Sequence, residues 1–238
     1  MRTRFQDRAD AGRELASRLS HLSGKSTIVL ALPRGGVPVG YEVAHALHAP
    51  LDVLNVRKLG VPWHEELALG AVATGGVRVL NNEIVMAAGV TKQDLDDITR
   101  LQRLEIDRRE RLYRNGRPAP DLHGRIVILV DDGIATGATV RAAIAVVKAQ
   151  NPSRLVLAVP VAQASVAAEL ARAVDEVVCV LAPEDLYAIG LWYDSFSQLE
   201  DEDVQRILAR AAAEPAAALM DTGAPSAAFD GQIPSTVS

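Results

Sequence analysis

The sequence predicts an α/β fold with a central, mostly parallel β-sheet flanked by helices. Short continuous apolar runs, typical of strands buried on both faces, alternate with helical patterns along most of the chain. Such regular alternation implies parallel strands joined by crossover helices. The 238 residues, 49% apolar and 23% charged, have the profile of an ordinary globular protein and suffice for one sizeable domain.

The elements follow in order from these patterns. Strands are predicted at residues 26–32, 51–56, 125–130, 155–160 and 177–181. Helices are predicted at residues 7–22, 37–47, 91 to about 113, 139–149 and about 165–173, the third starting at a Thr-Lys-Gln-Asp capping box. Residues 57–66, with Gly60, Pro62 and Trp63, are predicted to form a long loop near a short hairpin strand at 77–80. From about Ala211 the chain lacks periodicity, which predicts a disordered tail over 211–238.

Charge and composition narrow the possible functions. The net charge of −5 argues against nucleic acid as a main partner, because phosphate backbones are bound by clustered Lys and Arg. No apolar run approaches the ~20 residues of a membrane span, and no apolar stretch follows the charged N-terminus, so a cytoplasmic protein is expected. The single cysteine, Cys179, excludes an internal disulfide, and its apolar surroundings favour a packed, inert thiol.

The most informative segment is the strand at 126–130 with the residues after it. The strand ends in two adjacent carboxylates, Asp131 and Asp132, followed by small residues and the start of a helix. Ligands of open parallel sheets bind at the carboxyl ends of strands, and small residues before a helix N-terminus let backbone N–H groups approach an anion. The acids would face hydroxyls or Mg²⁺. The alternative is an ordinary turn with a solvated Asp pair.

Residues 128–139, Ile-Leu-Val-Asp-Asp-Gly-Ile-Ala-Thr-Gly-Ala-Thr, resemble the motif of type I phosphoribosyltransferases that binds 5-phosphoribosyl-1-diphosphate (PRPP). The resemblance implies that Asp131 and Asp132 contact the ribose hydroxyls. It also implies a type I phosphoribosyltransferase-like domain over 1–210, with a small hood formed by the N-terminal helix and about 183–200. The residues that would hold the 5′-phosphate are Ala135, Thr136, Gly137, Ala138 and Thr139.

Two further stretches match the family's diphosphate-binding elements. Arg34, Gly35 and Gly36 follow a strand and are similar to its pyrophosphate loop, although a plain Gly-rich turn is the alternative. Arg57 and Lys58 open the predicted long loop, which in this family closes over PRPP. Lys58 is expected to help the diphosphate depart, with Arg57 as a second contact. An exposed lysine without a role is the alternative.

Residues 186–194 resemble the C-terminal segment of hypoxanthine-guanine phosphoribosyltransferases. By that resemblance Tyr187 stacks on a base and Asp194 lies on the Mg²⁺ side, so the implied metal ligands are Asp131, Asp132 and Asp194. Tyr187 as a core aromatic is the alternative. The lysine that reads the purine in that subfamily has no counterpart in 161–165. The sequence therefore leaves the acceptor base open.

The expected function is Mg²⁺-dependent transfer of the phosphoribosyl group from PRPP to a nitrogenous base or similar acceptor, with release of diphosphate. Such a displacement depends mostly on positioning and electrostatics, and Asp132 could in addition stabilise positive charge or accept a proton. Two alternatives stay open: a non-catalytic PRPP-binding regulator, and a hydrolase that uses water as acceptor. Whether the protein is a homodimer is also open.

Overall fold

The computed structural model describes residues 4–61, 64–114 and 116–214, without the side chains of 64–67. Its central sheet has the strand order β2-β1-β6-β7-β8, and all of its pairings are parallel. The strands are β1 (Thr27–Ala31), β2 (Leu51–Val53), β6 (Ile126–Val130), β7 (Arg154–Val161) and β8 (Glu176–Leu181). This arrangement confirms the predicted fold class.

Helices cover both faces of the central sheet. The described helices are α1 (Arg8–Arg18), α2 (Gly36–Leu47), α3 (Asn82–Ala87), α4 (Lys92–Arg114), α5 (Ala138–Lys148), α6 (Ala164–Leu170) and α7 (Asp201–Ala213). One core cluster joins the sheet to α5, and a second joins its other face to α1 and α2. The predicted capping box is present, since Thr91 and Asp94 bond each other's backbone N–H.

The prediction of a long loop over residues 57–66 is wrong. This stretch forms most of β3 (Val56–Val61) and the start of β4 (His64–Ala73), which pair antiparallel and continue to β5 (Arg78–Leu80). Leu59 and Val61 are fully buried against α3 and α4, so alternating burial outweighs the turn propensity of Gly60. Pro62 and Trp63 lie outside the described residues.

The C-terminal helix α7 runs past the predicted start of the tail. Val204 and Leu208 on α7 are buried. After the helix, the Glu214 carboxylate accepts a hydrogen bond from Tyr41 Oη at 2.6 Å and lies 2.9 Å from His45 Nδ1. The boundary at Ala211 therefore cuts through the last turn of a packed helix, and the rest of the predicted tail, 215–238, lies outside the described residues.

The two stretches expected to form the hood contact each other directly. The backbone N–H of Phe5 donates to the Trp192 carbonyl, and that of Asp194 donates to the Phe5 carbonyl. The Phe5 ring is fully buried and lies 5.4 Å from the ring of Tyr193. This pairing fixes the start of α1 above the carboxyl end of the central sheet, where β6 also ends.

No helix within the described ranges is long and apolar enough to cross a membrane. Cys179 is half-buried on β8, and burial raises the pKa of its thiol. A raised pKa leaves little of the thiol as thiolate at neutral pH.

Candidate active site

The acid pair, Asp131 and Asp132, lies where β6 ends at the carboxyl edge of the sheet. Asp132 is buried, and its Oδ2 accepts a hydrogen bond of 2.8 Å from Arg8 Nε at the start of α1. The Arg8 guanidinium also lies 3.7 Å above the ring of Phe196. Tyr193 Oη donates to the backbone carbonyl of Asp132 at 2.5 Å. Both parts of the hood therefore contact the acid pair.

Burial and mutual repulsion disfavour the state in which both carboxyl groups of the acid pair are charged. Burial raises the pKa of Asp131 well above its ordinary value of 3.8, and the charge of Asp132 raises it further. Burial also raises the pKa of Asp132, although Arg8 opposes that shift. A ligand that supplies hydroxyl donors or a cation would relieve this cost, because both favour the charged carboxylate.

The residues after the acid pair form an open concave loop. Positions 131–140 and Ile189 line a cavity of about 210 Å³. Gly133 packs so closely under Ile189 that a Cβ there would lie 2.6 Å from Ile189 Cγ2. Gly137 has φ of +73° just before α5, a conformation in which glycine is favoured. The backbone can thus present N–H groups at the N-terminus of α5, as an anion requires.

The loop after β1 packs against the acid pair. Ala31 pairs with Val130, and the Leu32 N–H bonds the Val130 carbonyl, so the two strand ends lie side by side. A Cβ on Gly35 would lie 2.0 Å from Asp132 Oδ2, and one on Gly36 would lie 2.7 Å from the Val130 carbonyl oxygen. Only glycine allows this approach, so the structure brings two predicted site segments together.

Arg34 precedes these glycines and is held by the start of α7. Its Nη1 lies 3.0 Å from Glu200 Oε2 and 4.0 Å from Asp201 Oδ1. The side chain is about one-third exposed. It therefore lies at the edge of the site with carboxylates as its partners, and a phosphate ligand would compete with them.

Arg57 and Lys58 point to opposite sides of β3. Lys58 lines a cavity of about 920 Å³ together with Thr136 and Ala138 at the start of α5. Arg57 instead forms an ion pair of 3.2 Å with Glu105 on α4. The structure therefore brings Lys58 to the small-residue loop and directs Arg57 away from it.

Tyr187 and Asp194 are both exposed. The Tyr187 residue is 88% exposed, so it is not the core aromatic of the alternative interpretation. Asp194 lies beside Phe5 on the outside of the hood. Within the described ranges no three His, Cys, Asp or Glu side chains cluster as a metal site requires, so the structure does not bring Asp194 together with the acid pair.

Sequence reasoning missed two residues of this edge. Arg8 is far from Asp132 in the sequence, and the charged N-terminus gave no sign of a partner. Asn55 follows β2 and is 3% exposed, and its side-chain amide has no hydrogen-bond partner among the described residues. An amide so placed is a cost unless water or a ligand satisfies it. The available signal was a polar residue two positions after the end of a strand.

The fold and this edge define an α/β protein with an anion-accommodating loop and an acid pair at the carboxyl end of a parallel sheet. The family model of the phosphoribosyl transferase domain matches residues 3–185, and the chain belongs to that family. This confirms the resemblance to type I phosphoribosyltransferases.

Known relatives agree with this assignment. Two Mycobacterium tuberculosis proteins, each named "Putative phosphoribosyl transferase", are 50% identical over 207 residues, which cover 87% of this chain and 47% of theirs. The chain thus spans about half the length of these curated relatives. The crystal structure of TT1426 from Thermus thermophilus is 43% identical, with a TM-score of 0.80 over 87% of this chain and 98% of that one.

Proposed function

We propose that the protein transfers the 5-phosphoribosyl group from PRPP to a nitrogenous base or a similar planar acceptor, with release of diphosphate. One observation carries this proposal: the acid pair, the small-residue loop before α5 and the Gly35–Gly36 loop meet at one edge of the sheet. Family membership supports this class of reaction, and this edge has groups suited to each part of PRPP.

Each group has a role that its chemistry allows. The carboxylates of Asp131 and Asp132 accept hydrogen bonds from the ribose hydroxyls, which lowers the cost of their burial. The backbone N–H groups of 135–139 and the hydroxyls of Thr136 and Thr139 bind the 5′-phosphate at the N-terminus of α5. Arg34 binds the diphosphate after it exchanges Glu200 for a phosphate oxygen.

The acid pair also fits Mg²⁺. This ion is usually held by one or two carboxylates together with substrate phosphates, and buried carboxylates with raised pKa values gain from a nearby cation. Asp131 and Asp132 would hold it. When bound, Mg²⁺ neutralises charge on the departing diphosphate. Asp194, on the outside of the hood, has no part in this proposal.

Catalysis by the chain's own residues is positioning and charge stabilisation. Lys58 lies in the cavity that includes Thr136, from which its ammonium can approach the diphosphate. Asp132 is paired with Arg8, so its role is to hold the ribose and stabilise positive charge rather than to take a proton from the acceptor. The acceptor stacks on Tyr187, whose exposed ring is available to a planar molecule.

Product analysis tests the proposal. The protein is incubated with PRPP and Mg²⁺, with and without a panel of purines and pyrimidines, and diphosphate and nucleoside monophosphates are quantified. Release that depends on one base class supports the transferase. Equal release without any base indicates the hydrolase, and calorimetric binding of PRPP without any release indicates the regulator.

A second experiment tests the site itself. Asp131→Asn with Asp132→Asn should abolish PRPP binding by calorimetry, while circular dichroism reports whether the fold survives. Glu176→Gln serves as the control. Glu176 is the first residue of β8, at the edge of the sheet opposite the acid pair, so this variant should bind PRPP normally. Unchanged PRPP affinity in the folded double variant would contradict the proposal.

A further inference from the structure

The outward face of α4 carries a row of mostly exposed residues. The helix packs on the core through Leu95, Thr99, Ile106 and Tyr113. On the opposite face, residues spaced alternately by three and four form what we call the α4 row: Asp94, Asp97, Leu101, Leu104, Arg108 and Arg111. This spacing is that of the contact positions of a two-stranded coiled coil.

The two leucines of the row are largely exposed to solvent. Leu101 and Leu104 are each 58% exposed and lie on either side of the middle of a 23-residue helix. A single exposed leucine is ordinary, but two at consecutive contact positions form an apolar strip at the centre of the row. A partner helix that crosses here would cover both.

The α4 row is negatively charged near the N-terminal end of the helix and positively charged near its C-terminal end. Two aspartates precede the leucines and two arginines follow them. When a second copy of α4 lies antiparallel across the first, Leu101 faces Leu104 and Asp97 faces Arg108 in both halves of the pair. The same alignment places Asp94 opposite Arg111. In a parallel pair, aspartates would face aspartates and arginines would face arginines, which is destabilising.

We propose that two copies of this chain associate through an antiparallel, two-fold symmetric pairing of α4. A two-fold interface requires a self-complementary surface. If a residue of the first copy contacts a given residue of the second, the same contact occurs again with the two copies exchanged. A partner of a single charge would leave half of the row facing like charge. The charge order therefore favours a second copy over a uniformly acidic or basic protein.

Asp94 is half-buried, and its Oδ2 accepts hydrogen bonds from Thr91, so the pairing relies mainly on Asp97 and Arg108. Asp97 has an exposed ion pair with Arg100, which contributes little and can be exchanged. Arg108 donates three N–H groups to Glu105 and Asp201, and a guanidinium has five. Beside the row, exposed Arg100 of one copy would approach exposed Asp107 of the other. One helix pair buries limited area, so the dissociation constant should lie in the micromolar range, as for small transient interfaces.

A charge-exchange experiment tests the pairing on the full chain. Asp97→Arg puts arginine against Arg108 of the other copy, and Arg108→Asp puts aspartate against Asp97. Analytical ultracentrifugation at about 50 mM salt, where charge interactions are weakly screened, should show a dimer for the unaltered protein. Each single variant should dimerise at least ~10-fold more weakly, because both contacts between positions 97 and 108 of the two copies then carry like charges.

A heterodimer of the two variants again has opposite charges at both contacts between positions 97 and 108. A mixture of the two should form a heterodimer of near-original affinity, detected by native mass spectrometry with one variant tagged, and this also shows that both variants are folded. Asp96→Arg changes the same charge one position off the row and should leave the dimer intact. A monomeric unaltered protein at several hundred micromolar, or single variants that dimerise normally, would overturn the proposal.

Discussion

Arg8→Met is the substitution that most directly tests how the hood and the acid pair depend on each other. It removes the cation 2.8 Å from Asp132 and retains an apolar stem. The Arg8 and Asp132 side chains are only 11% and 12% exposed, so water replaces little of the lost interaction. Removal of one partner from a buried pair costs about 3–5 kcal/mol. For a domain of this size, that corresponds to a Tm lower by roughly 6–20 °C.

The loss should depend on pH, because Asp132 can protonate once Arg8 is gone. Its folded pKa is already raised above the ordinary 3.8 by burial, and the loss of Arg8 raises it further. A folded state that binds protons more tightly than the unfolded state loses stability as pH rises between the two pKa values. The difference between Arg8→Met and the unaltered protein should therefore be largest near neutral pH and shrink toward pH 4.

A double-mutant cycle separates the ion pair from the other contacts of Arg8. Urea unfolding followed by circular dichroism gives the free energy of unfolding for Arg8→Met, Asp132→Asn and the combined variant. Because Arg8 also donates to the Ser197 carbonyl and contacts Phe196, part of the single cost persists in the combined variant. The coupling should nevertheless be about 1–3 kcal/mol. Costs that add within about 0.5 kcal/mol would refute the reasoning.

Three further substitutions report on separate parts of the molecule. Tyr193→Phe leaves the Asp132 carbonyl without its donor and should cost about 1–3 kcal/mol in urea unfolding; an unchanged midpoint would mean that water replaces the hydroxyl. Lys58→Ala should lower kcat/KM at least ~10-fold, about 1.4 kcal/mol, with a smaller change in PRPP Kd; the reverse pattern would make Lys58 a simple binding residue. Tyr187→Ala should weaken acceptor binding roughly 5- to 150-fold in calorimetry, as expected for loss of base stacking, with PRPP affinity retained; an unchanged acceptor Kd would place the base elsewhere.

The central sheet and the acid pair could be predicted from the sequence because their signals are local. A buried parallel strand is a continuous apolar run, and the residues directly after it must lie at the ligand-binding edge. The same rule located Arg34, Gly35 and Gly36. The ion pair between Arg8 and Asp132 could not be found this way, because the two residues are 124 positions apart and meet only through the pairing of the hood segments.

The small sheet shows how one wrong element assignment hides a functional distinction. Once residues 56–61 are a strand, period-two alternation sorts their side chains. Val56 and Lys58 face α5, whereas Arg57, Leu59 and Val61 face α4. As a loop, the segment offered Arg57 and Lys58 as equivalent cations. In the strand, only Lys58 lies next to the loop before α5, whereas Arg57 forms an ion pair that holds the hairpin against α4. Loss of Arg57 should therefore lower the stability of the protein more than it weakens ligand binding.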